Sequence, residues 1–258
     1  MKKYGSLAVL LCAAALTACN YDKNAVQDIT GPLPASRVMF FNFGLNAPAV
    51  NFYADNTKMT AVLSTSGAEA ATGVAYGGVG AGGLYTGIAP GTHTFAGKIA
   101  ATEDKDLAVS TLATSVGEGK NYSYYQSGVY DAAAKKVDAF MVEDPFPPEI
   151  DYSKAIVRFV NAIYNSSPMT LYAKDRATGV ETAVGAAVAY KTAGAFTGLP
   201  NGVYDLSVRA AGSSTNLITR ASVSFVQGNV YTIGARGDMT VTSSTAVNRP
   251  FLDNTVNR

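Results

Sequence analysis

The sequence predicts an all-β protein of two tandem β-sandwich domains, immunoglobulin-like or transthyretin-like, and three observations carry that prediction. Of the 258 residues 48% are hydrophobic and 15% charged, with 25 Gly and 15 Tyr but no Trp, a composition suited to turns and half-buried strands. Thr86 to Phe95 reads TGIAPGTHTF and Thr197 to Leu206 reads TGLPNGVYDL, so one turn-then-strand pattern occurs twice. No segment of useful length carries a 3.6-residue apolar repeat, and the Ala-rich pieces Ala68 to Thr72 and Thr182 to Ala189 predict short helical turns at most. The duplication divides the chain into units of roughly 105 residues, each long enough to bury a core.

Residues 1–18 read as a signal peptide: Lys2 and Lys3 are a basic start, Tyr4 to Ala15 is an Ala/Leu-rich apolar run, and Leu16-Thr17-Ala18 closes it before Cys19. Those last four residues resemble a bacterial lipobox, which implies cleavage before Cys19 and a diacylglycerol and palmitate anchor on its thiol. The uncharged run is a borderline transmembrane length, but its Ala, Gly, Ser and Thr contribute little to insertion. Cys12 falls inside the leader, so the mature chain keeps Cys19 alone and no intrachain disulfide is expected. Residues 19–35 form a polar, Pro-containing tether. Position 20 is Asn rather than Asp, and by resemblance to enteric-type lipoprotein sorting this implies the outer membrane.

The first unit, residues 36–142, opens with Arg37-Val38-Met39-Phe40-Phe41-Asn42 and continues after Asn46-Ala47-Pro48 with Val50 to Asn56. The second, residues 154–258, opens with Ile156-Val157-Arg158-Phe159-Val160-Asn161 and continues after Asn165-Ser166-Ser167-Pro168 with Met169 to Asp175. Asn42 pairs with Asn161, and at strand ends such an Asn predicts a turn capped by its side chain. These elements, with APGTHTF and LPNGVYDL, resemble the bacterial extracytoplasmic family called "domain of unknown function 4397" over both units. The resemblance implies an exported sandwich module, often in tandem, and transfers no catalytic residue.

Later in each unit a Gly turn leads into an alternating strand, Val116 to Tyr124 in the first and Phe225 to Ile233 in the second. Period two places Tyr122 and Tyr124 on the core face and Tyr125 on the other. Residues 143–153, with Pro145, Pro147 and Pro148 among four acids, predict an extended, semi-rigid linker between separately cored units.

The chemistry-bearing residues are few. Gly78 to Gly83 satisfies GxGxxG, yet Leu84-Tyr85-Thr86-Gly87 runs into Pro90-Gly91 and leaves no room for the phosphate-binding helix, so a flexible loop is expected. His93 is the only histidine and its repeat partner is Tyr204, which predicts a strand-start residue at the sandwich rim rather than a catalytic base or zinc ligand. Asp104 and Asp106 sit in a turn whose counterpart, Gly212 to Asn216, has no carboxylate, so a solvated hairpin turn is expected rather than a calcium site. No catalytic residue, metal or cofactor is expected.

Residues 36–142 hold 7 basic and 8 acidic groups and residues 154–258 hold 10 and 5, so only the second unit is positive and nothing suggests a nucleic-acid partner. With Arg209 and Arg220 read as outward on neighbouring strands, these two and Arg158 are the candidate binding residues. Arg suits bidentate contacts with carboxylate or phosphate, so an anionic glycan, a lipid head group, an envelope protein or the chain's own 143–151 segment is the expected partner. The expectation is a non-enzymatic, lipid-anchored envelope module that binds a ligand; the alternatives are a stalk or partner-binding scaffold and, behind these, a hydrolase.

Overall fold

The computed structural model describes residues 36–258 apart from Leu63 and Ala68, so the leader, Cys19 and the tether lie outside the described residues. The first repeat contains β1 (Ser36–Asn42), β2 (Val50–Ala54), β3 (Thr57–Lys58), β4 (Gly78–Val79), β5 (Thr86–Ile88), β6 (Gly91–Ile99), β7 (Ala108–Val116), β8 (Asn121–Asp131) and β9 (Lys136–Glu143). The second contains β10 (Ala155–Asn161), β11 (Met169–Asp175), β12 (Glu181–Val188), β13 (Thr192–Ala193), β14 (Thr197–Leu199), β15 (Gly202–Ala210), β16 (Ile218–Phe225), β17 (Val230–Arg236) and β18 (Phe251–Val256). Strand for strand, the order is the same in both.

Each repeat is a sandwich of two sheets. In the first, β4-β1-β8-β9, with β5 continuing the β4 edge, faces β3-β2-β6-β7; in the second, β13-β10-β17-β18, with β14, faces β12-β11-β15-β16. Within each repeat the strands pair antiparallel except β1 with β8 and β10 with β17, which run parallel. Phe40, Phe52, Phe95 and Tyr124 fill the first core; Phe159, Leu171, Tyr204, Leu206, Phe225 and Ile233 are among those filling the second. Tyr122 and Tyr124 face inward as the alternation requires.

Beside the separate core of each repeat there is a third apolar cluster that belongs to both, which the linker reading did not include: Met39, Phe41, Phe43, Tyr125 and Phe140 from one, Val160 and Ala162 from the other. The outer faces of the two parallel-paired sheets pack on each other, and the described residues 36–258 fall in one compact unit. This is why β1 and β10 are buried on both faces and read VMFF and VRFV, whereas β7 and β16, in the outer sheets, alternate buried with exposed positions. Tyr125 stacks between Phe41 (4.5 Å) and Phe140 (5.0 Å). Opposite them Gly234, the repeat counterpart of Tyr125, leaves a hollow: a Cβ there would lie 3.1 Å from Phe43.

Two further expectations are settled. Thr182 to Ala189 is not a helical turn: its residues up to Val188 fall in strand β12, because tertiary pairing with β11 outweighs the local preference of alanine. Ala68 lies outside the described residues, Glu69 is a bridge residue, and Ala71 and Thr72 form a turn. Asn42 and Asn161 are turn-formers: Asn42 Oδ1 accepts from Gly44 N–H (3.3 Å), Asn161 Oδ1 from Ile163 N–H (3.0 Å), and each amide donates onward to backbone carbonyls.

Candidate functional site

Arg158 is fully buried, which corrects its reading as a surface ligand group. Its position in β10 is that of Met39 in β1, so a guanidinium stands at the inter-repeat face where the first repeat has a thioether. A guanidinium there must be satisfied in place. Nη2 donates to Asp144 Oδ1, Nη1 donates to the Glu143 carbonyl (2.9 Å), Nε donates to Thr232 Oγ1 (3.0 Å), and the Phe196 ring covers the plane at 4.9 Å.

Asp144, also fully buried, accepts from Ser123 Oγ (2.8 Å) and Tyr85 Oη (2.6 Å) at its second oxygen. Tyr85 Oη in turn accepts from Asn257 Nδ2 (3.0 Å), and Asn257 Oδ1 accepts from Thr232 Oγ1 (2.7 Å). Arg158, Thr232, Asn257, Tyr85 and Asp144 therefore close a ring of hydrogen bonds drawn from both repeats and the segment that joins them. Burial first, and the neighbouring carboxylate second, push the Tyr85 phenol far above its ordinary range, so it remains a neutral donor. Of the anionic partners expected for Arg158, the chain's own linker is the one it holds.

Arg209 and Arg220 do not share a face, and the expected pairing of the two is corrected. Arg209 points outward from β15, where Nη1 and Nη2 donate to Glu181 Oε1 (2.8 Å) and Oε2 (2.7 Å), Nε donates to Asn216 Oδ1 (2.7 Å), and the plane stacks on Tyr172 at 4.2 Å. Arg220 sits opposite the core residue Leu206 in the register of β15 with β16, so it points inward. The reason is a bulge: the register shifts between Tyr204 and Leu206, Ser222 has φ 57°, and its N–H donates to Asp205 Oδ1 (3.0 Å). Counting back from Val223 by twos across that bulge assigns Arg220 to the wrong face. Its Nη1 donates to the Leu252 carbonyl (2.6 Å). A shallow depression of about 270 Å³ beside Glu181 mixes Lys174 and Arg220 with Glu181 and Asp205.

The remaining candidates make local contacts. Nδ1 of His93 lies 2.8 Å from Asp55 Oδ2 and Nε2 lies 2.9 Å from the Ala89 carbonyl, four residues back. Its counterpart Tyr204 donates to the Pro200 carbonyl, also four back, at 2.7 Å. Both side chains tie the turn to the strand start. The GxGxxG stretch forms β4 and a short 3-10 turn, Gly80–Gly83, with Ala81 at φ 51°. Asp104 pairs with Lys135, and Asp106 accepts from Tyr53 Oη (3.3 Å).

Sequence reasoning missed Asp144, Tyr85, Asn257 and Thr232. A faint signal existed in Arg158 itself: a lone charge inside an apolar run of a strand buried on both faces requires a buried partner. Among curated proteins none matches the chain. Over residues 155–256, from the first strand of the second repeat to the end of its last, the chain matches the model of the family described as Domain of unknown function (DUF4397).

Proposed function

We propose that the protein is a lipid-anchored envelope module whose two repeats act as one rigid, non-enzymatic binding scaffold, and that the first repeat is a diverged copy of the second. One observation carries the scaffold reading: the closed hydrogen-bonded ring through Arg158 and Asp144, which ties β10, β17, Asn257 just after β18 and the linker to the first repeat. Such a fully satisfied buried network fixes one arrangement of the parts that share it. The leader and Cys19 support the location, with the outer membrane expected from Asn20.

The test places one spin label at Thr111 on β7 and another at Thr219 on β16, both exposed on outer sheets of different repeats. A single narrow distance distribution is expected, and a broad one would overturn the rigid scaffold. Wild-type protein should also fractionate with membranes and lose that behaviour, or its processing, in Cys19→Ala.

A further inference from the structure

Arg37, the second residue of β1, stands at the outer end of the row that faces the other repeat. Val38 and Phe40 point into the first core, whereas Met39 and Phe41 belong to the cluster shared by both repeats, so the alternation sends Arg37 the same way. It is exposed. Ser36 Oγ donates to the Gly117 carbonyl (2.6 Å) and Arg37 N–H donates to the Lys120 carbonyl (3.0 Å), which sets the start of β1 against the turn between β7 and β8. From the second repeat, Asn257 Nδ2 donates to Tyr85 Oη (3.0 Å) and so brings the exposed Arg258 to the same end.

Arg37, Asn121, Phe146 and Arg258 line both of two adjoining hollows between the repeats, about 430 and 300 Å³. The larger also takes in Lys120, Glu143 and Asp144. Both of its carboxylates are matched: Glu143 accepts from Lys120 Nζ (2.8 Å), and Asp144 is held by Arg158. The Arg37 and Arg258 guanidiniums make no hydrogen bond or ion pair among the described residues, so two positive charges are left over at one groove. Glu118, in the turn before Lys120, and Glu149, further along the linker, do not line it. The Asn121 amide is likewise without a described partner, and Phe146 with Pro145 and Pro147 supplies an apolar wall. Ile156 has the place of Arg37 in β10, so the arrangement occurs once rather than in each repeat.

We infer that this groove seats the phosphate of an anionic phospholipid head group, so that the protein rests on its membrane by this end. A guanidinium fork matches the free oxygens of a phosphodiester, and the Asn121 amide adds a neutral donor. The glycerol carbons of the lipid lie against Phe146 and the prolines. The point of chain entry favours a lipid over a soluble anion: Ser36 opens β1 at this groove, and sixteen residues, 20–35, join it to Cys19. A chain of that length spans at most about 58 Å, which keeps this end within reach of the bilayer when Cys19 is anchored. The inference rests on the lipid-anchored reading above and supplies the surface that meets the membrane.

The experiment floats the mature chain carrying Cys19→Ser, which keeps every described residue and removes the anchor, with vesicles at low salt. Vesicles of phosphatidylglycerol and phosphatidylethanolamine should carry the protein up, phosphatidylcholine vesicles should not, and added salt should weaken the binding. Arg37→Ala and Arg258→Ala should each lower the partition coefficient about fivefold, the effect of one basic side chain near an anionic surface, and both together about twenty-five-fold. Arg37→Lys with Arg258→Lys keeps the charge and should retain most of the binding, which separates lost charge from lost fold. Arg209→Ala should change nothing, since Glu181 holds that guanidinium. Unchanged flotation of the double alanine variant overturns the site. Equal flotation with phosphatidylcholine overturns the anionic head group. Inorganic phosphate or glycerol phosphate binding by calorimetry, with no flotation, assigns the groove to a soluble anion and overturns the lipid. Absence of binding to every probe overturns the inference, whereas processing and fractionation of the wild type judge the anchor separately.

Discussion

The Arg158 guanidinium and the Asp144 carboxylate meet with no solvent exposure on either side chain, one from the opening strand of the second repeat and one from the first residue after β9. The pair is where the two sandwiches differ, because Met39 occupies in β1 the place that Arg158 has in β10. Desolvating both ions opposes the Coulomb attraction, so the pair fixes the arrangement more than it adds stability.

Removing one partner is therefore the damaging change. Arg158→Met should lower unfolding stability by about 3–5 kcal/mol, because the Asp144 charge is left buried and unpaired. Arg158→Met with Asp144→Leu should recover most of that loss. Urea denaturation of the two variants checks this, and equal losses in both would count against the pair as the cause.

The shared apolar cluster makes the repeats unequal when separated. An isolated first repeat exposes Phe41, Phe43, Tyr125 and Phe140, whereas the second exposes the smaller Val160 and Ala162 with one ring, Tyr190. Residues 36–258 should unfold in one transition by calorimetry, and residues 36–142 alone should self-associate at concentrations where residues 154–258 stay monomeric. Two well-separated transitions would mean that the interface contributes little.

The hollow at Gly234 is a packing requirement that can be tested by exchange of volume. Gly234→Leu should cost about 1–3 kcal/mol by overpacking against Phe43. Combining it with Phe43→Ala should restore part of the loss, measured by the shift in the denaturation midpoint.

Much of the fold was legible because it rests on local chemistry. The turn sequences APGTHTF and LPNGVYDL, the Asn42 and Asn161 turns and the alternation at Tyr122 and Tyr124 each depend on neighbours within a few residues. The sheet-on-sheet contact between repeats depends on which outer face meets which, and period two assigns Tyr125 to the other face without saying what covers it. The arginines failed for a related reason. Bidentate pairing of Arg209 with Glu181 joins residues 28 apart in sequence, and the bulge that turns Arg220 inward has no marker except Ser222 in a left-handed conformation.

His93 supplies a pH test. Both ring nitrogens face acceptors, so the doubly protonated ring is the form that can donate to Asp55 and Ala89 together. The hydrogen bond to Asp55 raises the His93 pKa, and bonds from Thr94 N–H and then His93 lower that of Asp55. The His93 contribution is thus fully present below the ordinary histidine range, about 6.5, and is lost as pH rises through the raised value. The Asp55 contribution is present above the ordinary carboxylate range and is lost as pH falls through the lowered one. Melting temperatures from about pH 5 to pH 9 should show the alkaline loss in wild type and not in His93→Tyr, which copies the Tyr204 bond to a carbonyl four residues back. A persisting slope in His93→Tyr would assign it elsewhere.

The knob of aromatic rings at Tyr125 and the hollow at Gly234 also decide the stoichiometry of the fold. Two first repeats brought together by these faces would set ring against ring with no hollow to receive either, and two second repeats would bury Arg158 against Arg158 without a carboxylate. Like faces would clash and unlike faces fit, so within one chain the knob and the hollow already satisfy each other and leave neither face for a further copy.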